Sequence, residues 1–159
     1  MTAELYPTFD ATDIILEEDA PNETSADIIA PKFDGDNAVF TINNIGQAVI
    51  GDAEDAYQFW VVKCLLTERY KYLAYSDDFG VEMEEILRSD YPRDIKESEI
   101  ERTIVEALTV DERTVSVTNF EFKWEGDAMT VHFLVESIYG TASYQYQRGG
   151  DDLARVQAA

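Results

Sequence analysis

Carboxylates dominate the residues of this chain that could do chemistry, and one group of them is dense. Asp77 and Asp78 are followed closely by Glu82, Glu84 and Glu85. Calcium-binding loops place oxygen ligands at alternate positions around a glycine in the turn, and the spacing here differs from that pattern. The glutamates also fall on a predicted helix, where acidic side chains interact favourably with the positive N-terminal end. The group therefore indicates a solvated helix start rather than a calcium site.

Thiol and imidazole groups are scarce, since the chain has one cysteine, Cys64, and one histidine, His132. A zinc site needs several such ligands, so the sequence predicts neither a metal nor a cofactor. Cys64 falls on the apolar face of a predicted helix, which is typical of a small core residue. His132 lies on the polar face of a predicted strand, without the serine or cysteine context of a nucleophile.

Hydrolysis of a glycoside needs two carboxyl groups roughly 5–10 Å apart in a sugar groove. The sequence contains 33 carboxylates, and their spacing singles out no pair. Gly149 and Gly150 do not follow a predicted strand, so they do not form a phosphate-binding loop. The residues by themselves predict a soluble domain without a recognisable active site. An acidic cell-wall hydrolase and an acidic adaptor for a basic protein remain alternative functions.

The charge balance excludes several classes of partner. The chain of 159 residues has 12 basic residues and a net charge of −21, which repels both nucleic acid and anionic membrane surfaces. No apolar run approaches the roughly 18–20 residues of a membrane span, and the start of the chain lacks the pattern of a secretory signal. A single cysteine indicates folding in a cytosol. Basic protein partners fit this charge best.

Helical and strand patterns begin after an acidic arm, residues 1–36. Ala38–Ile42 and Gly46–Ile50 predict a short hairpin. Asp52 is predicted to cap an amphipathic helix that ends near Leu66, and Val81–Leu87 predicts a second, short helix. A third helix, capped by Asp94 or Ser98, is predicted to have one apolar face, formed by Ile95, Ile100, Ile104, Ala107 and Leu108.

The C-terminal half of the predicted core is a β-hairpin. Its strands lie near Thr114–Trp124 and Ala128–Tyr139, with a bulge near Thr118–Asn119 and a turn at Glu125–Asp127. Periodicity is lost after Gly140, so residues 141–159 are predicted to be a mobile tail. The predicted fold is α+β over residues 37–140, with two to three helices packed on a small antiparallel sheet.

The segment Thr67–Glu82 mixes aromatic and charged residues between the first two helices. Tyr70 and Tyr72 alternate with their neighbours at strand spacing, which predicts an extended segment. Two interpretations stay open for Tyr70, Tyr72 and Tyr75, namely core packing and contact with a partner protein. Gly80, which ends the turn in this segment, is predicted to have a positive φ angle.

Three stretches of the chain, in order, resemble a family of tail proteins found in defective prophages such as PBSX. They are D-A-Y-Q-F-W-V-V-K-C-L-L-T-E-R-Y-K-Y-L-A-Y-S-D-D-F-G-V-E, S-E-I-E-R-T-I-V-E-A-L and F-L-V-E-S-I-Y-G. The family is similar to the baseplate wedge proteins of contractile phage tails, including the sheath initiator. Glu68, Arg69 and Gly80 match its pattern as they stand. Its acidic-Pro-Arg motif reads Asp111-Glu112-Arg113 here, so the rigid turn of the proline does not carry over.

The resemblance implies a structural, non-enzymatic protein in the baseplate of a phage or phage-tail-like particle. Such a protein would be made in the bacterial cytoplasm and occupy the inner wedge ring in multiple copies. Its expected partners are other wedge proteins, the tail sheath protein and the base of the tube. The sheath would start by strand addition to the predicted hairpin. The residues expected to support the structure or contact partners are Thr67, Glu68, Arg69, Tyr70, Tyr72, Tyr75, Gly80, Glu112 and Arg113.

Overall fold

Three helices packed on a four-stranded antiparallel sheet make up the body of the protein, which confirms the predicted α+β class. The structure, a computed structural model, describes residues 30–34, 39–149 and 154–158. The helices are α1 (Ala53–Leu66), α2 (Met83–Arg88) and α3 (Arg93–Thr109). The strands are β1 (Phe33–Asp34), β2 (Val39–Phe40), β3 (Thr114–Glu125), β4 (Ala128–Ser137), β5 (Gly140–Arg148) and β6 (Arg155–Ala158).

Helix α1 begins and ends where the sequence predicts. The Asp52 carboxylate accepts a hydrogen bond from the backbone N–H of Asp55 at 2.9 Å, and the Asp55 carboxylate accepts one from the N–H of Asp52 at 3.2 Å. This reciprocal capping box satisfies two N–H groups that the helix leaves without partners. The buried face of the helix includes Val61, Cys64 and Leu65, so the interpretation of Cys64 as a core residue is confirmed.

Helix α3 begins earlier than predicted, and the proposed caps Asp94 and Ser98 are wrong. Pro92 holds the N-cap position with a φ of −54° and no side-chain hydrogen bond. Proline suits a helix start because it has no N–H to leave unpaired and its φ is already close to helical. Ile95 is exposed, whereas the other four residues of the predicted apolar face are buried.

The sheet is a simple meander in the order β3-β4-β5-β6. The pairing register of β3 shifts between Thr118 and Glu121, where Asn119 has a φ of 59°, so the predicted bulge is confirmed. Gly126, with a φ of 64°, and Asp127 form a two-residue turn between β3 and β4. Left-handed backbone at glycine is what tight hairpin turns require. The predicted hairpin is therefore present.

The prediction of an irregular segment after Gly140 is wrong for the described residues, because β5 and β6 complete the sheet. In β5, the buried Tyr144 and Tyr146 alternate with Gln145 and Gln147. The buried and less buried residues alternate with a period of two. The pattern is weak in the sequence because tyrosine, glutamine and glycine differ little in hydrophobicity. In β6, Val156 is buried beside Tyr146 in the ladder.

The core lies between the helices and one face of the sheet. Met129, Val131, Phe133 and Val135 of β4 all point into it, as do the two tyrosines of β5. From the helices, α1 and α3 contribute most of the buried apolar residues. His132 and its neighbours Thr130 and Leu134 occupy the opposite face of β4 and are half-buried.

The described part of the N-terminal region is attached to the body through β1. Phe33 pairs with Phe40, and Pro31 forms a bridge with Ile50. Ile42 bridges to Ala48 across a turn, which agrees with the predicted hairpin. Residues 1–29 and 35–36 of the predicted arm lie outside the described residues, as do residues 37–38. None of the described helices is long and apolar enough to cross a membrane.

Candidate functional site

After α1, two short backbone segments, Thr67–Arg69 and Gly80–Val81, lie side by side. We call them the α1–α2 junction. The N–H of Val81 donates to the carbonyl oxygen of Thr67 at 2.9 Å, and the N–H of Arg69 donates to that of Val81 at 3.0 Å. Glu68 and Val81 form a parallel bridge. The residues between them therefore form a closed loop.

Gly80 is required at this junction for two reasons. Its φ is +102°, which confirms the predicted positive angle. Residues other than glycine strongly resist such an angle. A β-carbon there would also lie 2.6 Å from the carbonyl oxygen of Thr67. Thr67 is itself buried, and its hydroxyl donates to the carbonyl oxygen of Lys63 at 2.7 Å. The junction therefore has no room for a larger residue.

Arg69 lies beneath the loop and connects it to α3. Its side chain is only 5% exposed. Its Nε donates to the carbonyl oxygen of Gly80 at 3.1 Å, and its Nη1 donates to Glu106 at 2.9 Å. Burial alone would lower the pKa of Arg69, but Glu106 and then Glu82 outweigh it and raise that pKa. The guanidinium therefore stays charged and forms the internal ion pair.

Glu68 connects three elements at the other side of the junction. Its carboxylate accepts hydrogen bonds from the backbone N–H of Glu84 at 3.0 Å and from Arg148 at 3.3 Å. Arg148 also lies 3.5 Å from the carboxylate of Glu84. The end of α1, the first turn of α2 and the end of β5 are thus held together. Sequence reasoning missed Arg148 because it lies in the region predicted to be a tail.

The loop itself, residues 70–78, which we call the tyrosine loop, is not the extended segment that the sequence predicts. It is a series of turns, in which Tyr70 has a φ of +62° and the N–H of Tyr75 donates to the carbonyl oxygen of Tyr72. Strand spacing alone does not make a strand when no neighbouring strand is available for pairing. Here the flanking residues pair with each other, so the segment between them must turn back.

The tyrosines of the loop are largely exposed, so the core-packing interpretation is wrong for Tyr70 and Tyr72. Their exposed fractions are 65% and 53%, and that of Tyr75 is 37%. Tyr75 alone is partly packed, since its ring lies 4.9 Å from that of Phe79 and 4.8 Å from the Lys63 ammonium. Contact with a partner protein is then the interpretation that remains for the first two.

Asp111-Glu112-Arg113 forms the turn between α3 and β3. The Asp111 carboxylate accepts from Nε and Nη2 of Arg113 at 2.8 and 2.6 Å, and from its backbone N–H at 2.9 Å. The guanidinium also lies 5.2 Å from the ring of Tyr57. These contacts fix the turn without a proline. Glu112 is exposed beside it.

The electrostatics of this turn favour the ion pair. Burial would raise the pKa of Asp111, but the side-chain and backbone hydrogen bonds from Arg113 outweigh that effect and lower it. Bidentate pairs of this kind are among the stronger hydrogen bonds in proteins. The turn is therefore a fixed structural element, with Arg113 lying between Asp111 and the aromatic face of α1.

The arrangement offers little for catalysis. Burial raises the pKa of the Cys64 thiol to about 11, which makes it a poor nucleophile at neutral pH. Within residues 30–34, 39–149 and 154–158, no three histidine, cysteine or acidic side chains are placed to hold a metal ion. What the site does present is a fixed backbone junction and an exposed aromatic loop.

A family model described as contractile injection system sheath initiator matches residues 30–140. The chain belongs to this family. It is also 40% identical over 98 residues to the phage-like element PBSX protein XkdS of Bacillus subtilis (strain 168), a match that covers 61% of this chain and 70% of that protein. The match to the sheath initiator family takes in both the α1–α2 junction and the Asp111–Arg113 turn. Almost all of β5 and all of β6 lie beyond it.

Family membership makes the chain a structural component of a contractile injection particle. The predicted resemblance to the sheath initiators of contractile tails is thereby confirmed. The roles of the individual site residues are not tested by this similarity and stay predictions.

Proposed function

We propose that this protein is a non-catalytic sheath initiator at the inner wedge ring of a contractile baseplate, present in multiple copies. Its partners would be other wedge proteins, the tail sheath protein and the base of the tube. The sheath would begin when a strand from a sheath subunit adds to the edge of the four-stranded sheet. The observation that carries this proposal is the open meander, in which β3 and β6 each pair on one side only among the described residues.

The geometry changes which edge can accept a strand. The predicted hairpin of β3 and β4 does not have two free edges, because β4 pairs with β5 along nine residues, Met129–Ser137. Of the two outer strands, β6 has four residues and β3 has twelve. A longer ladder gives more main-chain hydrogen bonds, so β3 is the better acceptor.

Within β3, the stretch after the bulge is regular. Glu121 to Glu125 pair in unbroken register with His132 to Ala128. The N–H of Ile138, just after β4, donates to Arg113, and antiparallel ladders alternate in their bonding direction. Counted along β4 from Ile138, every second residue bonds to β3, and Val131 is not one of them. Phe122 pairs with Val131. The N–H of Phe122 therefore points away from β4, as an added strand would require.

A pair of substitutions at Phe122 tests strand addition. Phe122→Pro and Phe122→Ala both lose the partly buried ring, but only the proline also removes the outward N–H. We expect particles with Phe122→Ala to carry an ordered sheath, whereas particles with Phe122→Pro should show tubes and baseplates without one in electron micrographs. Thermal unfolding of the two purified variants serves as the control for folding.

If Phe122→Pro particles assemble a normal sheath, strand addition at β3 is wrong. The alternative function, an acidic cell-wall hydrolase, makes a different prediction. Such an enzyme would release sugar fragments from purified peptidoglycan, and the structural role predicts no release. An acidic adaptor would bind a basic protein outside any particle.

A further inference from the structure

We propose that the tyrosine loop is a second docking surface, which places Leu73 in an apolar pocket with a basic rim on a neighbouring baseplate protein. This inference rests on the proposed function. A protein that starts a sheath must already be held in place when the first sheath subunit arrives. It therefore needs a surface for its scaffold that is separate from the strand edge offered to the sheath.

The first observation is the exposure of the loop. Leu73 is fully exposed, and Tyr70 and Tyr72, which precede it in the loop, are each more than half exposed. Contiguous exposed apolar groups of this kind mark interaction sites on soluble proteins. Tyrosine is also enriched among the residues that dominate the binding free energy of interfaces. The tip of the loop is thus suited to entering a pocket.

The second observation is that the base of the loop is rigid. The buried Arg69 guanidinium holds the loop to α3, and the α1–α2 junction closes it with two backbone hydrogen bonds. Phe79 packs edge-on against Trp60 at 6.2 Å, and Tyr75 packs on Phe79. A loop that is already ordered loses little conformational entropy on binding. The loop is therefore preorganised for docking.

The third observation concerns charge and indicates the chemistry of the partner. Lys71 lies 3.7 Å from Glu84 and is thereby neutralised. Asp77 and Asp78 are exposed at the other side of the loop, with no ion pair in the described part of the chain. The whole chain carries a net charge of −21. A pocket rimmed by lysine or arginine would pair with the two aspartates and complement this field.

The loop also differs in kind from the sheet edge. A strand edge binds through its backbone and tolerates many side chains, whereas the loop presents specific side chains at the end of α1. Two such surfaces allow one chain to be selected by its scaffold and then to accept a sheath strand. We therefore assign the loop to the baseplate side rather than to the sheath.

The test measures incorporation of the protein into particles. Particles are purified from strains that carry each variant, and the amount of this chain relative to tube protein is determined by quantitative mass spectrometry. Leu73→Ser should reduce incorporation at least tenfold without lowering the melting temperature, because Leu73 has no buried contacts. Leu66→Ser is the matched control, since Leu66 is an exposed leucine, 44% accessible, at the end of α1.

Charge reversal provides a second arm. Asp78→Lys should also reduce incorporation at least tenfold, whereas Glu101→Lys, an exposed reversal on α3, should leave it within twofold of wild type. Incorporation of Leu73→Ser within twofold of wild type would overturn the docking proposal. The strand-edge proposal is read out separately, since Phe122→Pro should be incorporated normally and lack only the sheath. Particles that are depleted of this chain but fully sheathed would support docking and refute the role in sheath initiation.

Discussion

The backbone of Gly80 lies so close to that of Thr67 that a β-carbon at residue 80 would be 2.6 Å from the Thr67 carbonyl oxygen. This oxygen also accepts the hydrogen bond from Val81 that closes the junction. A side chain at residue 80 would therefore both force an unfavourable φ and push the two backbones apart.

Gly80→Ala should accordingly lower the free energy of unfolding by more than about 2 kcal/mol, as measured by urea denaturation. Gly126→Ala is the matched control, because Gly126 also has a positive φ but has open space where the β-carbon would be. Its cost should be about 1 kcal/mol, from the backbone angle alone. Equal costs for the two substitutions would contradict the role of crowding.

Arg69 should stabilise the fold through the hydrogen bonds that its buried guanidinium donates to Gly80 and Glu106. Arg69→Met keeps much of the apolar volume but removes the bonds to Gly80 and Glu106, and we expect a loss of about 1–3 kcal/mol. Arg102→Met, which removes an arginine that is 59% exposed and pairs with Glu99 and Glu106, should change stability by less than about 1 kcal/mol. Chemical denaturation of both variants checks the difference.

Two buried tyrosines should respond differently to loss of the hydroxyl. The hydroxyl of Tyr57 lies 2.8 Å from that of Thr114, whereas the buried hydroxyl of Tyr144 has no hydrogen-bond partner among the described residues. Tyr57→Phe should destabilise by about 1 kcal/mol, and Tyr144→Phe should be neutral or stabilising, because an unpaired buried hydroxyl is unfavourable. Melting temperatures of the two variants provide the comparison, and equal losses would argue against it.

The last strand should contribute to stability, contrary to the prediction of a mobile tail. Val156 is buried in β6, and Gln157 beside it is exposed. Val156→Ala should lower the free energy of unfolding by about 1–2 kcal/mol, whereas Gln157→Ala should change it by less than about 0.5 kcal/mol. If both changes are silent, β6 does not pack as the structure shows.

Asp111 should make stability depend on pH. Its pKa is lowered in the folded protein, so its charged form contributes stability above the ordinary carboxyl pKa of about 4. That contribution is lost as the pH falls through the lower folded pKa. The difference in unfolding free energy between wild type and Asp111→Asn should therefore be large at pH 7 and shrink below about pH 4. Glu112→Gln, at the exposed neighbour, is the control substitution and should change stability at pH 7 by less than about 0.5 kcal/mol.

The elements with strong local signals could be predicted from the sequence. The Asp52 cap, the 3.6-residue spacing through Cys64 and the alternation from Met129 to Val135 each specify one structure, and the structure has all three. The bulge at Asn119 also showed as a shift in the phase of the pattern. In each case the signal and the structure lie in the same few residues.

The remaining features depend on contacts between distant residues. The tyrosine loop has strand spacing but no strand to pair with, and only the closure at Glu68 and Val81 reveals this. The pattern in β5 is visible only once Tyr144 and Tyr146 are known to be buried in the core, since glutamine and tyrosine differ little in hydrophobicity. Arg148 could not be paired with Glu68 from the sequence, because 80 residues separate them.

The separation of 80 residues between Glu68 and Arg148 has a consequence for synthesis of the protein. Helix α1 packs against α3 and the last strand, β6, which both follow it in the chain. At about 5–20 residues per second, the ribosome needs roughly 4–16 s to add the 80 residues between Glu68 and Arg148. During that interval α1 emerges without the sheet that buries it, so the nascent chain is exposed to aggregation and chaperones until its last third is translated.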